Sequence, residues 1–255
     1  MKEFALKTKI DVNSCDACRR IKPSAFFTLF QNAASLHADE LGMGYDELIK
    51  KDVIWMLIRC RYDVLSQPNF EQEINVKTYP LPPRGIEFDR EYLITDAAGN
   101  KLVKGTSKWC LCNYKTRKLI MRGEYGYNID EFTDEREYAG GLKKIADFPV
   151  DDFKTFTQTA YFTDLDHNGH VNNTRYLDFV LNAVAGELGD GKITSFEIDY
   201  VSELKAGETV TIYYKKTEEG FSVKCLCEGR EIFRAIIGVS RERFEPLSAK
   251  GRLQC

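Results

Sequence analysis

The sequence predicts an α+β fold in which one long helix followed by an antiparallel sheet occurs twice. Three observations predict it: two segments with helical apolar spacing, a set of strand-like runs after each, and a low-identity match between the two halves. Residues 23–41 read as the first helix. Pro23 suits a first turn, Phe26, Phe30, Ala33 and Leu36 recur at helical spacing, and Gly42 ends the run. Residues 172–188 read as the second, with Tyr176, Phe179, Val180, Ala183 and Leu188 as its stripe and Gly189 as its end.

Strand signals follow each helix. After the first come 53–64, 71–79, 87–95, 101–113 and a short run at 118–121; after the second come 195–201, 209–214, 221–227 and 231–239. They are rich in Val, Ile, Tyr, Phe and Cys, and turns such as Ala98-Gly99-Asn100 and Glu228-Gly229-Arg230 separate them. Residues 99–105 align with 229–235, and Asn32-Ala33 with Asn182-Ala183. The charged, Gly-interrupted stretch between the copies reads as a linker. The expected organisation is an N-terminal domain over 1–125, a linker over 126–154 and a C-terminal domain over 155–255. A single helix wrapped by a curled sheet, with two such units paired, is the hotdog plan. The expectation is therefore tandem hotdog domains within one chain.

Composition narrows the function classes. The chain has 255 residues, 43% hydrophobic, and a net charge of −3, which gives no sign of nucleic-acid binding. No apolar run approaches the ~20 residues needed to span a bilayer. Residues 1–10 are broken by Lys2, Glu3, Lys7 and Lys9 and do not read as a signal peptide, so a cytoplasmic location is expected. The eight cysteines read as reduced, packed thiols rather than a disulfide framework. Cys15 and Cys18 form a lone Cys-x-x-Cys, which without a second pair does not suggest zinc.

The chain has three histidines, and two of them fall in residues 164–173, Asp-Leu-Asp-His-Asn-Gly-His-Val-Asn-Asn. Helix capping by Asn172 or Asn173 accounts for one of these groups. It does not account for both histidines, two acids and another amide. The matching segment of the first half, Cys15 to Pro23, shows none of this chemistry. A helix entry offers free N–H groups and a positive dipole end, suited to an acyl-transfer oxyanion, while imidazole and carboxylate move protons near neutral pH.

Asp166-x-Asn168-x-His170-Val171-Asn172-Asn173, followed by Tyr176 on the helix, resembles the active-site signature of plant-type acyl-ACP thioesterases. The resemblance extends to residues 32–38, Ile54-Trp55, Arg84-Gly85, residues 106–109 and residues 113–119. It implies hydrolysis of fatty acyl-acyl carrier protein, with catalytic positions at Asp166, Asn168, His170 and, in Asp199-Tyr200-Val201-Ser202-Glu203, at Glu203. Leu204 stands where plant members often have Cys, so an activated water is expected rather than a Cys nucleophile. Glu203 is the expected base. His170, the Asn168 amide and backbone N–H groups around Val171 and Asn172 are the expected oxyanion donors. No cofactor or metal is implied. Phe26 and Phe30 are candidates for an acyl-pocket wall, and equally for plain core. His37 reads as a packing or surface residue, and His167 as pointing away from the site. Acidic carrier would dock on Arg19, Arg20 and Lys22 or on Lys115, Arg117 and Lys118; a homodimer is compatible with the reading. Two alternatives stand beside it: a hotdog hydratase or dehydratase, and a non-catalytic acyl-thioester binding module.

Overall fold

The structure is a computed structural model that describes residues 3–16, 19–121, 132–133 and 135–240. Cys18, part of the predicted linker and the last 15 residues lie outside the described residues. The first half comprises β1 (Phe4–Lys9), α1 (Pro23–Glu40), α2 (Tyr45–Ile49), β2 (Val53–Val64), β3 (Glu73–Pro80), β4 (Phe88–Asp96) and β5 (Lys101–Asn113). The second comprises β6 (Lys154–Thr159), α3 (Arg175–Leu188), β7 (Lys192–Tyr200), β8 (Thr209–Lys216), β9 (Gly220–Cys227) and β10 (Arg230–Ser240). Among the described residues, no helix is long and apolar enough to cross a membrane.

All ten strands form one sheet in the order β1-β3-β4-β5-β2-β7-β10-β9-β8-β6. The order is a palindrome of the two halves about the β2–β7 seam. That seam is antiparallel and pairs residues 59–63 with 195–199, with Arg61 opposite Glu197 at its centre. Ion pairs lace it: Arg61 to Glu197 at 3.0 Å and Arg59 to Asp199 at 3.1 Å. The core is continuous across the seam, because Phe27 of α1 meets both Tyr62 of β2 (5.5 Å) and Phe196 of β7 (6.1 Å) edge-on.

Several expectations are corrected. The sequence reading missed β1 and β6, one at each edge of the sheet, and the short helix α2. The β1 segment FALKTK alternates half-buried and exposed positions and carries two lysines, suiting an edge that faces solvent on one side. The run at 118–121 is not a strand; one bridge joins Leu119 to Cys112. Helix α3 starts at Arg175 rather than 172. Asn172 does not occupy the cap; its Oδ1 accepts from the Thr174 N–H and hydroxyl, both at 3.0 Å, in a turn that precedes the helix.

The described linker residues before Lys154, where β6 begins, carry no helix or strand and cross the outer face of the sheet. The Tyr138 hydroxyl donates to Lys104 O at 3.1 Å, the Ile145 N–H to Asp199 Oδ2 at 2.8 Å, and Arg234 Nη1 to Ile145 O at 3.2 Å. The linker thus straps the two halves together.

Candidate active site

The polar signature forms a tight loop between β6 and α3. Leu165 and Val171 bridge its ends. Inside it, the Asp166 N–H donates to His170 O at 2.8 Å, and the Gly169 N–H donates to Asp166 O at 3.1 Å. Asp166 Oδ1 accepts the Asn168 N–H at 2.8 Å. Gly169 has φ +77°, a conformation that favours glycine. These demands account for the Asp-x-Asn-Gly spacing: the carboxylate closes the turn and the glycine reverses it. Behind the loop Asp164, 5% exposed, accepts from Arg175 Nε at 2.9 Å.

Glu203 lies on the turn after β7, and that turn is stitched to the loop by the Val171 N–H, which donates to Leu204 O at 2.8 Å. His170 Nε2 comes within 3.3 Å of Glu203 Oε2. A third group completes this cluster. Arg117, from the hairpin after β5 in the first half, places Nη2 at 2.6 and 2.5 Å from the two Glu203 oxygens and 3.4 Å from His170 Nδ1.

A cavity of about 330 Å³ opens beside the loop. Its apolar wall belongs to the first half and includes Ala34, Leu48, Trp55 and Trp109; Asp166, His167, Asn168 and Asn173 come from the second. Among the described residues, the Asn168 side-chain oxygen is buried without a hydrogen-bond partner.

The sequence candidates therefore separate. Asp166 and Asn168 stand at the cavity wall, while His170 and Glu203 pair with one another. Phe26 and Phe30, each 2% exposed, are core residues; Phe30 stacks on Tyr92 at 4.4 Å, and neither lines the large cavity. Tyr176 is 3% exposed and packs edge-on against Tyr200, Phe233 and Phe179, and burial pushes its hydroxyl pKa up. The backbone N–H groups of Val171 and Asn172 are not free for an oxyanion, since the second donates to Asp164 O at 2.9 Å as the first does to Leu204. His167 does not point away: it lines the cavity and meets the Tyr45 ring edge-on at 4.4 Å. His37 is buried in packing, its Nδ1 accepting from Arg90 at 3.0 Å. Arg117 is withdrawn from the proposed docking set into the Glu203 cluster.

The first half builds the same loop. Cys15 and Ile21 bridge it, the Asp16 N–H donates to Arg20 O at 2.8 Å, and the Lys22 N–H donates to Ser14 O at 2.9 Å. Asp16 therefore stands where Asp166 does, correcting the reading that this segment shares no chemistry. Arg20 takes the place of His170 and pairs with Asp16 at 2.9 Å. Gln67 takes the place of Glu203, because the preceding Leu65 and Ser66 N–H groups share Leu102 O as Val201 and Ser202 share Ile232 O.

Comparison with known proteins bears on both halves. The family model for the acyl-ACP thioesterase N-terminal domain matches residues 1–123, and that for the C-terminal domain matches residues 149–237. This chain belongs to the acyl-ACP thioesterase family. Its α+β architecture is the tandem hotdog fold of that family. A dodecanoyl-[acyl-carrier-protein] hydrolase of Cinnamomum camphora is 28% identical over 226 residues, 80% of this chain and 59% of that protein. A palmitoyl-acyl carrier protein thioesterase of Arabidopsis thaliana is 30% identical over 64% of this chain and 42% of that protein. Both alignments span less than two thirds of the plant thioesterases. The crystal structure of an acyl-ACP thioesterase from Bacteroides thetaiotaomicron superposes with a TM-score of 0.78 at 25% identity, over 94% of this chain and 98% of that one. A 12:0-ACP thioesterase from Umbellularia californica shares the fold, with a TM-score of 0.79 at 24% identity over 94% and 98% of the two chains.

Proposed function

We propose that this chain hydrolyses the thioester of fatty acyl-acyl carrier protein and releases the free fatty acid. One observation carries the reading. A cavity walled by apolar side chains of the first half ends against the acid–amide–imidazole loop of the second. An acyl chain would lie in the cavity with its thioester at Asn168.

The chemistry follows from the groups present. Glu203, with its side chain 44% exposed, can reach a water. It takes the water proton as the oxygen bonds to the carbonyl carbon, and the carbonyl π electrons move to oxygen. Asn168 holds that oxyanion. Its amide oxygen has no partner among the described residues, so a half turn about its last torsion presents the N–H donors instead. Collapse re-forms the carbonyl and breaks the carbon–sulfur bond, and the departing sulfur takes the proton. His170 faces Glu203 and orients it. Asp166 shapes the loop that carries Asn168.

The partner is acyl carrier protein, an acidic surface that basic side chains would meet. Of the candidates, Arg20 is engaged with Asp16, Lys115 with Asp52 at 2.9 Å, and Arg19 lies over the Phe70 ring at 4.9 Å. Docking through exposed cations weakens as salt screens them over ~8 Å, so KM for acyl-carrier substrate should rise with salt while KM for acyl-CoA changes less.

The deciding experiment follows free thiol released from saturated acyl-carrier and acyl-CoA substrates of graded length. Release of thiol supports the reading; binding without release, or hydration of an unsaturated chain with the thioester intact, rejects it. His170→Ala, which removes the group that orients Glu203, should lower turnover on the order of 10²-fold, and Asn168→Ala by roughly 10²–10³-fold. Near-normal turnover in folded His170→Ala would remove the site assignment.

A further inference from the structure

Arg117 is an odd residue to find at this site. It comes from the half that lacks the signature, reaching a glutamate 86 residues away. Its backbone has φ +58°, the left-handed region that a side chain other than Gly or Asn rarely adopts. The hairpin enforces that conformation. The Arg117 N–H donates to Asn113 O at 2.8 Å, and Asn113 Oδ1 accepts from the N–H groups of Lys115 and Thr116 at 3.1 and 2.8 Å.

Stability does not explain the arrangement. The Arg117 and Glu203 side chains are 34% and 44% exposed, and a pair that open to solvent contributes ~0–1 kcal/mol. A left-handed conformation costs roughly 1–2 kcal/mol. The strain equals or exceeds the gain. What remains is placement: one guanidinium nitrogen meets both Glu203 oxygens and sits beside the His170 ring.

The chemistry of guanidinium then fixes the imidazole. Arginine carries only N–H donors and is always charged. The nitrogen facing it, His170 Nδ1 at 3.4 Å, must present its lone pair. The ring proton of neutral His170 is therefore on Nε2, which faces Glu203 Oε2 at 3.3 Å and donates to it. Arg117 thus sets two things at once, the direction of the Glu203 carboxylate and the tautomer that orients it.

We propose that Arg117 is a positioning residue, supplied by the first half, that holds Glu203 as the oriented carboxylate and His170 as the Nε2–H tautomer. The proposal rests on the hydrolase reading above for its kinetic consequence, but not for its structural one. It gives the first half a part in the chemistry besides walling the cavity.

The test combines kinetics and spectroscopy. Arg117→Ala should lower kcat for acyl-carrier hydrolysis on the order of 10²-fold, the effect of a misplaced reacting group, with KM little changed. Arg117→Lys, which keeps a single charged donor but not the planar guanidinium that holds it in place, should lose less. Added guanidinium should restore part of the activity of Arg117→Ala. In a Glu203→Gln background, Arg117→Ala should cost nothing further, because the two act as one unit. The chain has three histidines, so long-range ¹H–¹⁵N spectra resolve the His170 tautomer directly. The wild type should show Nε2–H and Arg117→Ala a mixture. A raised KM at unchanged kcat would make Arg117 a docking residue and overturn the proposal. So would full loss in both Glu203 backgrounds, or an unchanged His170 spectrum in Arg117→Ala. If Arg117→Ala fails to fold, the spectrum and kcat of Arg117→Lys decide: the Nε2–H tautomer with most of kcat retained supports the proposal, and a changed tautomer or a loss as large as that expected for Ala overturns it. Should the wild type release no thiol, the hydrolase reading fails while the spectra still test the placement.

Discussion

Glu91 makes stability depend on pH in a calculable way. It lies on β4, is 0% exposed, and faces the strap. Burial pushes its carboxyl from 4.5 up to about 7. The Thr106 hydroxyl and the Glu137 N–H, each donating at 3.1 Å, oppose burial without overcoming it. In the unfolded chain this carboxyl ionises near 4.5, whereas in the folded protein it keeps its proton until about 7. Across that window the folded state binds the extra proton, so stability falls as pH rises and levels off above it. The gap corresponds to about 3 kcal/mol lost between the two limits. Glu91→Gln keeps an oxygen for the Glu137 N–H and an amide that can donate to the Thr106 oxygen, but cannot ionise. It should match the wild type near pH 4 and exceed it near pH 8 by up to about 3 kcal/mol. Urea unfolding followed by tryptophan fluorescence at several pH values measures the difference. Burial also raises other carboxyls, among them Glu197, but they cancel in the comparison. A wild-type minus variant difference that stays flat from pH 4 to 8 would refute a carboxyl held protonated beneath the strap.

Three further outcomes are expected. Gly105→Ala should destabilise by ~1–3 kcal/mol through overpacking, since an added Cβ would lie 2.2 Å from the Phe30 ring that stacks on Tyr92; thermal unfolding checks it, and an unchanged Tm would contradict the packing described. Brief alkylation at neutral pH should spare activity, because burial pushes up the thiols of Cys60, Cys110 (to about 12), Cys112 and Cys225 and no described cysteine was placed in the mechanism. One-to-one titration by a thiol reagent with substrate protection would reject that. Residues 155–240 expressed alone should be inactive although they contain Asp166, Asn168, His170 and Glu203, since they lose the β2 partner of β7, the cavity wall and Arg117. Full activity from this piece as a monomer would show the first half to be dispensable.

What the sequence determined by itself is local. The apolar period of α1, the strand runs that became β2 and β5 at the predicted residues, and the Asp-x-Asn-x-His loop each depend on neighbours a few positions away. So does the repeat, because each half folds its own helix onto its own strands. Edge strands β1 and β6 were not legible: short, polar, half-exposed segments become strands only when a neighbouring strand supplies the hydrogen bonds. The site shows the same division. Spacing placed Asp166 and Asn168 on one loop, but the direction of His167 and the burial of Phe26 and Phe30 depend on what packs around them. Arg117 looked like one more surface cation in a charged hairpin. Only the β2–β7 seam, joining two halves whose contacts are remote in sequence, brings that hairpin to the loop and makes its guanidinium the partner of Glu203.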